Sequence, residues 1–396
     1  MQSYLRIVRG LTLERQSWTD QITNAWKEKS VVWLMGVRRA GKTTLCKKIT
    51  PNQIYDCELP RIRKLFDDPE QFYNSLQEQK VTKITIDEIH RLENPSEVLK
   101  IAADYFPNIK VLATGSSTLA VKKKFKDTLT DRKRIVFLTP LNFDDIKDYS
   151  LNTIIHRMKR GGLPPFYLAN QFPESSFAEW LDSYWAKDIE ELFNIENKYA
   201  FLKFFELLAL QSGGLYEAKN FTSPCGVSHT TIANYLNALS QTNTAYIIRP
   251  FHKKAAKEII SAPKVYFFDT GFMTYFRGKD EIHDSDIGFY WEHIVLNELL
   301  GFVDREQIHI WRDKSKNEVD FIIKKRGKHP IAIECKWDYK EFKVNNLKKF
   351  RDLHPHGKNV LISHNILSKS ERSIQDISVM YTSIKNLKKV ILDILI

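Results

Sequence analysis

Residues 36–43 read Gly-Val-Arg-Arg-Ala-Gly-Lys-Thr, and this stretch decides the fold of the first part of the chain. It matches the pattern GxxxxGK(S/T) at each fixed position. The apolar run VVWLM (31–35) precedes it, and TTLCKKI (43–49), which has helical spacing, follows it. A loop between a strand and a helix N-terminus directs backbone N–H groups and the positive end of the helix dipole at a phosphate. The stretch therefore predicts a phosphate-binding loop, and the alternative is a chance match in a tight turn.

Five residues of this loop have expected roles in binding a nucleotide. We expect Lys42 to reach the β- and γ-phosphates of ATP and the Thr43 hydroxyl to bind its Mg²⁺ ion. Gly36, Gly41 and Thr44 are expected to complete the phosphate site, the last two through their backbone N–H groups.

A second motif, ITIDE (84–88), has the form of a β-strand that ends in two carboxylates. At the carboxyl end of a strand beside the loop, Asp87 would hold the Mg²⁺ ion and Glu88 would orient and polarise the attacking water. A strand that simply ends in two solvated carboxylates is the alternative. Together with the loop, the motif predicts a nucleotide hydrolase.

Two later positions are candidates for contacts with the γ-phosphate. The run IKVLATG (109–115) predicts a strand, and Ser116 follows it as a candidate sensor of the γ-phosphate, with a turn cap as the alternative. Arg132 is a candidate arginine finger, which would stabilise charge on the transferred phosphoryl group. Its alternative is membership of a solvated basic patch, because residues 121–134 contain seven basic and two acidic side chains.

Length and composition limit the class of protein. The chain has 396 residues, is 43% hydrophobic and carries a formal net charge of +12, which favours a polyanionic partner such as nucleic acid. No apolar run approaches the ~20 residues that span a bilayer, and charges interrupt the N-terminal stretch from Arg6 onward. The four cysteines are scattered, with no CxxC or His-Cys cluster beside them. We therefore expect a cytoplasmic protein without a disulfide framework, a zinc module or a membrane segment.

The chain divides into three regions by pattern. Short β runs alternate with helical stretches up to about Pro140, which predicts a parallel α/β sheet covered on both faces. Long amphipathic helical stretches follow, and a second α/β pattern begins near Tyr266. We predict an ATPase domain at residues 1–145, a helical, winged-helix-like region at 146–262 and an α/β domain at 263–396.

The middle region contains a helix-turn-helix pattern. SPCGVSHTTIANYLNAL (223–239) has a glycine turn and then a helix beginning at the capping residue Ser228, and the strand-like run AYIIRPF follows. A DNA-reading unit would place the second helix in the major groove. Its expected outer face is polar but not basic, which is unfavourable for neutralising phosphates. A packing or protein-contact role is therefore the alternative; the face comprises His229, Thr230, Asn234 and Asn237.

The C-terminal region contains a pattern of carboxylates and a lysine. Asp320 lies in EVDFIIKK and Glu334 and Lys336 lie in IAIECKW, two runs that the turn KKRGK (324–328) would join as an antiparallel hairpin. Glu292, on an upstream helix, could turn toward them. The set resembles the PD-(D/E)xK nuclease constellation, in which carboxylates hold Mg²⁺ or Mn²⁺ and the lysine positions or deprotonates the nucleophile. A salt-bridged surface pair, or a binding domain without cleavage, is the alternative.

Several stretches, taken together, resemble a large bacterial and archaeal family of AAA-type ATPases. Members carry a C-terminal domain long described as of unknown function. The resemblance implies that Ser116 and Arg132 are the sensor and the finger, although Asp131 stands where the family usually has a small residue. It also implies that the finger acts in trans, within a homo-oligomer. The stretches are GVRRAGKTTL, ITIDEIHRL, ATGSSTLA, LTDR, LTPLNFDDI, GGLPPFYL, YWAKDIEELF, YFFDTGF, WEHIVLNELL and NEVDFII.

Two functions fit these patterns. The leading hypothesis is an ATP-hydrolysing AAA-type ATPase coupled to a nuclease-like domain that engages nucleic acid, DNA before RNA, with metal-dependent cleavage. The second is a nucleotide-gated binding or signalling switch whose nuclease-like domain does not cleave. A DNA motor ranks last, because the chain lacks the motifs of a second helicase domain.

Overall fold

A computed structural model describes residues 13–115, 129, 131–252, 262–278 and 281–395. The first region alternates strands with helices. Its elements are α1 (Gln16–Glu28), β1 (Val31–Met35), α2 (Lys42–Ile49), β2 (Ile54–Asp56), α3 (Pro60–Arg63), α4 (Pro69–Glu78), β3 (Lys83–Asp87), α5 (Pro95–Tyr105), β4 (Lys110–Thr114) and β5 (Lys133–Phe137), with 3₁₀ turns at Lys64–Phe66 and Ile89–Arg91.

The strands β1 to β5 form one parallel sheet in the order β2-β3-β4-β1-β5. The sequence predicts five strands in this region, and each overlaps an observed strand, β1 to β5 in order: VVWLM, QIYDCEL, TKITIDEI, IKVLATG and RIVFLTP. The predicted parallel α/β sheet is confirmed. Residues 31–34 of β1 are fully buried, because β4 and β5 flank the strand and helices cover the sheet. The carboxyl ends of β1, β3 and β4 therefore meet at one edge, where ligands of such sheets bind.

The middle region is helical up to a short hairpin. Its elements are α6 (Phe143–Ile146), α7 (Leu151–Arg160), α8 (Pro164–Tyr167), α9 (Glu174–Tyr184), a π-helical turn (Trp185–Glu190), α10 (Glu191–Phe193), α11 (Lys198–Leu210), α12 (Lys219–Cys225), α13 (His229–Gln241), β6 (Ala245–Ile248), β7 (Lys264–Phe267) and α14 (Thr270–Arg277).

Local signals explain where α13 begins. Gly226 ends α12 in the left-handed conformation (φ 65°), and the Ser228 side chain accepts a hydrogen bond from the backbone N–H of Thr231. The predicted helix start at Ser228 and the strand after it are confirmed. Strands β6 and β7 pair antiparallel, so the predicted domain boundary after residue 262 falls between two strands of one sheet. The division into domains stays a prediction.

The C-terminal region is a long helix followed by a mixed sheet. Its elements are α15 (Asp284–Leu300), β8 (Ile308–Arg312), β9 (Glu318–Ile323), β10 (Ile331–Cys335), α16 (Asn345–Leu353), β11 (Asn359–Ile362), β12 (Ser370–Ile374), β13 (Ile377–Thr382) and α17 (Ile384–Leu395), with 3₁₀ turns at Arg305–Gln307 and Tyr339–Glu341.

The strands β8 to β13 form a six-stranded sheet in the order β12-β13-β11-β10-β9-β8. Strands β9 and β10 pair antiparallel, with Ala332 opposite Ile322, as the sequence predicts. Strand β11 pairs parallel with β10 and with β13. The second α/β region is therefore confirmed as a mixed sheet.

Helix α15 connects this sheet to the first region. The carboxylate of Glu298 accepts a hydrogen bond from the backbone N–H of Phe143 at 3.0 Å, and Asn297 donates to the carbonyl of Pro140 at 3.3 Å. One continuous apolar core contains Leu34 of β1, Trp180 of α9 and Trp291 of α15, so all three regions share it. None of the helices within the described ranges combines the length and apolar character that a membrane crossing requires.

Candidate nucleotide site

The loop at residues 36–41 joins β1 to α2 at the edge where the carboxyl ends of the strands meet. Gly36 has φ 154°, and a Cβ there would lie 2.5 Å from the carbonyl oxygen of Leu138. No other residue fits without moving Leu138, which directly follows β5. The loop therefore passes close against the neighbouring strand before α2 begins at Lys42.

The side chain of Lys42 folds back onto the phosphate-binding loop that precedes it. Its Nζ donates to the carbonyl oxygens of Gly36 at 2.8 Å and Val37 at 3.1 Å. Desolvation in the cleft lowers the pKa of Lys42, and the carboxylates of Glu88 and Asp188 act in the opposite direction. The ammonium group is thus held by carbonyl groups at the place where phosphate oxygens could replace them.

Thr43 and Asp87 meet below the loop. The Thr43 hydroxyl donates to one carboxylate oxygen of Asp87 at 2.9 Å, and the Thr114 hydroxyl donates to the other. Burial raises the pKa of Asp87, and these two hydrogen bonds oppose the rise. A hydroxyl and a carboxylate so arranged are suitable oxygen ligands for Mg²⁺. Thr114 was absent from the predicted site, although its place at the end of a strand next to β3 could have indicated it.

Glu88 follows Asp87 in a left-handed conformation (φ 52°), and its backbone N–H donates to the Thr114 hydroxyl at 3.1 Å. Its carboxylate lies 3.1 Å from Nδ1 of His90. Burial alone would raise the pKa of Glu88, but the His90 hydrogen bond and the charge of Lys42 outweigh it and lower the pKa to about 2. Glu88 is therefore ionised and suited to accept a hydrogen bond from water.

The loop forms one wall of a cleft of about 360 Å³, and the helical region forms the other. The second wall was not predicted, because its residues lie far from the loop in sequence. Arg38 of the loop contacts this wall: its Nε donates to a carboxylate oxygen of Asp188 at 2.7 Å. The helical region contributes Pro164, Pro165, Tyr184, Lys187, Asp188 and Thr242.

The predicted arginine finger, Arg132, is not among the described residues that line this cleft. Arg132 donates from Nε to Asp104 at 2.7 Å. Within one chain it therefore does not reach the site, and the finger role in trans stays a prediction. Ser116 lies outside the described residues.

The C-terminal carboxylates do come together around Lys336. Its Nζ lies 3.3 Å from a carboxylate oxygen of Asp320 and 2.9 Å from one of Glu334. The backbone N–H of Cys335 also donates to Asp320 at 2.7 Å. Burial and the charge of Asp320 raise the pKa of Glu334 to about 8. The second oxygen of Glu334, Oε1, is buried and has no hydrogen-bond partner among the described residues.

Glu292 is engaged by groups that the sequence did not indicate. It accepts hydrogen bonds from Lys264, at 3.2 Å, and from the Tyr266 hydroxyl. Lys264 also pairs with Glu318. Within the described part of the chain, no group of three or more His, Cys, Asp or Glu side chains is arranged to hold a metal ion. A metal site formed by three carboxylates, those of Glu292, Asp320 and Glu334, therefore stays a prediction.

Comparisons with known proteins match family models to all three regions of the chain. Residues 28–147 match the family model described as AAA domain. Residues 151–282 and 287–385 match two models described as domains of unknown function, DUF8612 and DUF4143.

Two uncharacterized proteins, Rv2008c of Mycobacterium tuberculosis and Mb2031c of Mycobacterium bovis, are each 26% identical over 339 residues, covering 82% of this chain and 74% of theirs. Among solved structures, a Walker-type ATPase of Pyrococcus abyssi has 14% identity and a TM-score of 0.45, covering 67% of this chain and 96% of its own. The family match and the geometry around Lys42 and Asp87 together identify residues 28–147 as an AAA-type P-loop ATPase domain.

Proposed function

We propose that the protein binds ATP with Mg²⁺ in the cleft and hydrolyses it to ADP and phosphate. The observation that carries this proposal is the contact of Thr43 with Asp87 directly below the phosphate-binding loop, with Lys42 and Glu88 beside it. These four residue types in this arrangement are the parts that phosphoryl transfer requires.

Each residue would have a defined task. The backbone N–H groups at the start of α2 would bind the phosphates, together with Lys42 once its ammonium group leaves the carbonyls of Gly36 and Val37. Thr43 and Asp87 would hold Mg²⁺, which would neutralise charge on the phosphates. Glu88 would orient a water molecule whose oxygen forms the new bond to the γ-phosphorus as the bond to ADP breaks. Because its pKa is about 2, Glu88 would act by orientation, and the water proton would end on phosphate.

The test is phosphate release from ATP by the wild type, by Lys42→Ala and by the control Lys47→Ala. Lys47 is exposed on the same helix and does not line the cleft. We expect a loss of about 100-fold or more in Lys42→Ala and wild-type turnover in Lys47→Ala. Equal turnover in all three proteins would contradict the site.

We further propose that the C-terminal region engages DNA and cleaves it in the presence of Mg²⁺ or Mn²⁺. Support comes from the convergence of Asp320, Glu334 and Lys336 and from the unpartnered, buried Oε1 of Glu334. The carboxylates of Asp320 and Glu334 would thus hold a metal ion, and the ion would activate a water molecule. Glu292 would join them only after parting from Lys264. The exposed turn after β9, with Lys325, Arg326 and Lys328, would neutralise the DNA backbone.

Cleavage of plasmid and single-stranded DNA, with either ion and with or without ATP, tests this second proposal. The wild type would be compared with Lys336→Ala, Lys42→Ala and the exposed control Lys340→Ala. We expect cleavage that disappears in Lys336→Ala and persists in Lys340→Ala. Intact ATP turnover without cleavage under any condition would instead favour a nucleotide-gated switch, in which the C-terminal region only binds its partner.

A further inference from the structure

Arg38 of the phosphate-binding loop contacts the helical region through both its side chain and its backbone. Its Nε donates to Asp188 at 2.7 Å, and the two side chains are 27% and 14% exposed. The carbonyl oxygen of Arg38 also accepts a hydrogen bond from Nε1 of Trp180 at 3.2 Å. Both the backbone and the side chain of residue 38 are therefore held by the helical region.

The segment that supplies Asp188 has an unusual backbone. Residues Trp185–Glu190 form a π-helical turn directly after α9. Such turns are rare, and they occur often at functional sites because they redirect side chains that a regular helix would place elsewhere. Upstream, Trp180 stacks on Tyr184 of the same helix with ring centroids 4.7 Å apart, and its indole N–H contacts the loop. The turn brings Lys187 and Asp188 to the cleft.

The position of Arg38 suits contact with the terminal phosphate. Its side chain lines the cleft, and its charge acts on both Lys42 and Glu88. A guanidinium group has five N–H donors in a rigid fork. Asp188 engages Nε, and among the described residues none forms a hydrogen bond with the two terminal nitrogens, which could bind phosphate oxygens. Arg132, the arginine predicted for this role, instead pairs with Asp104 outside the cleft.

We propose that Arg38 is a phosphate-binding catalytic residue of the ATPase site and that Asp188, from the helical region, is its positioning residue. The proposal rests on the proposed ATPase function and adds a cation that acts within the same chain. Arg38 would stabilise the charge that develops on the γ-phosphate as its bond to ADP breaks. Asp188 would keep the guanidinium fork in the orientation that this contact requires.

The test measures the kcat and KM of ATP hydrolysis, and the affinities for ATP and ADP, in Arg38→Gln, Asp188→Asn and the double variant. The matched control is Asp182→Asn, which breaks an exposed pair with Lys198 outside the cleft. We expect kcat to fall about tenfold or more in Arg38→Gln, while the affinities for ATP and ADP change by less than about threefold. In Asp188→Asn, kcat should fall while KM changes less than about twofold, because the contact acts on the transition state.

The double variant tests whether Asp188 acts on hydrolysis only by positioning Arg38. If Asp188 acts through Arg38, adding Asp188→Asn to Arg38→Gln costs no further activity, whereas losses that multiply would overturn that role. Should Arg38→Gln fail to fold, Arg38→Lys keeps the charge without the fork, and its kcat should also fall.

The outcomes separate this inference from the function on which it rests. Turnover that depends on Lys42 but continues at the wild-type rate in Arg38→Gln and Arg38→Lys would overturn the inference alone. Absence of turnover that depends on Lys42 would overturn the ATPase function and this inference with it.

Discussion

Glu88 is the residue whose ionisation matters most for the ATPase chemistry. Its pKa is lowered to about 2 from an ordinary 4.5, chiefly because the His90 hydrogen bond and the charge of Lys42 outweigh burial. A lowered carboxyl pKa stabilises the folded protein above the ordinary value, and this contribution is lost only as the pH falls through about 2. Glu88 therefore stays ionised at any pH at which the ATPase would be assayed.

We expect Glu88→Gln to lower kcat by about 100-fold or more, because the amide orients water poorly, while ATP affinity changes less than about threefold. Titrating Glu88 should produce no acid limb in the wild-type pH profile between about pH 5 and pH 8. Parallel measurements on Glu93→Gln, an exposed neighbour, should match the wild type. An unchanged kcat in Glu88→Gln would remove this residue from the mechanism.

A substitution at Gly36 tests how closely the phosphate-binding loop passes Leu138, the residue after β5. A methyl group at this position would lie 2.5 Å from the Leu138 carbonyl oxygen, on a backbone with φ 154°. Gly36→Ala should lower the free energy of unfolding by about 1–3 kcal/mol and abolish ATP binding. Gly288→Ala is the control, because a Cβ there meets nothing within 4 Å and the position lies inside α15. Denaturant unfolding and ATP titration of both variants check the prediction.

At the level of elements, α15 ends against the ATPase domain. Burial raises the pKa of Glu298 to about 8, although the Phe143 N–H and the charge of Arg157 oppose the rise. A carboxyl pKa raised on folding gives stability that is fully present below the unfolded value, near 4.5, and is lost as the pH rises through about 8. Ionisation of Glu298, which is buried in the contact between α15 and α6, should therefore destabilise the folded protein in alkaline solution.

Melting temperatures at pH 6 and pH 9 test this contact. The melting temperature of the wild type should fall between pH 6 and pH 9. In Glu298→Gln this fall should be smaller by about 2 °C or more, because the amide has no proton to release. The exposed Glu306→Gln serves as the control, since its side chain lies outside the contact. An identical pH dependence in wild type and Glu298→Gln would contradict the assignment.

The elements also mark how far sequence could predict the fold. The central strands β1, β3 and β4 of the first sheet are short, mostly buried runs, and the pair β9–β10 flanks a turn-forming segment, so periodicity and turn chemistry were sufficient there. Asp188 and Lys264 could not be predicted in their sites. Each reaches its partner only through packing between regions, and nothing local in the sequence indicates a π-helical turn or a lysine directed at Glu292.

For the whole molecule, the shared core predicts coupled unfolding. Leu34, Trp180 and Trp291 belong to one apolar cluster, so the three regions should melt in a single transition. ATP with Mg²⁺ at 100 times its Kd should stabilise the native state by about 2.7 kcal/mol, and this gain should vanish in Lys42→Ala. Calorimetry with and without nucleotide measures both effects. Two separate transitions, with ATP raising only one of them, would contradict the shared core.

The proposed ATPase function depends on the claim that ATP binds in the cleft between the phosphate-binding loop and the helical region. A crystal structure with Mg²⁺ and a non-hydrolysable ATP analogue would locate the nucleotide. We predict phosphates over residues 36–43, with Lys42 withdrawn from the Gly36 and Val37 carbonyls and the metal ion between Thr43 and Asp87. The analogue bound elsewhere, or Lys42 still on those carbonyls beside a bound analogue, would contradict the claim.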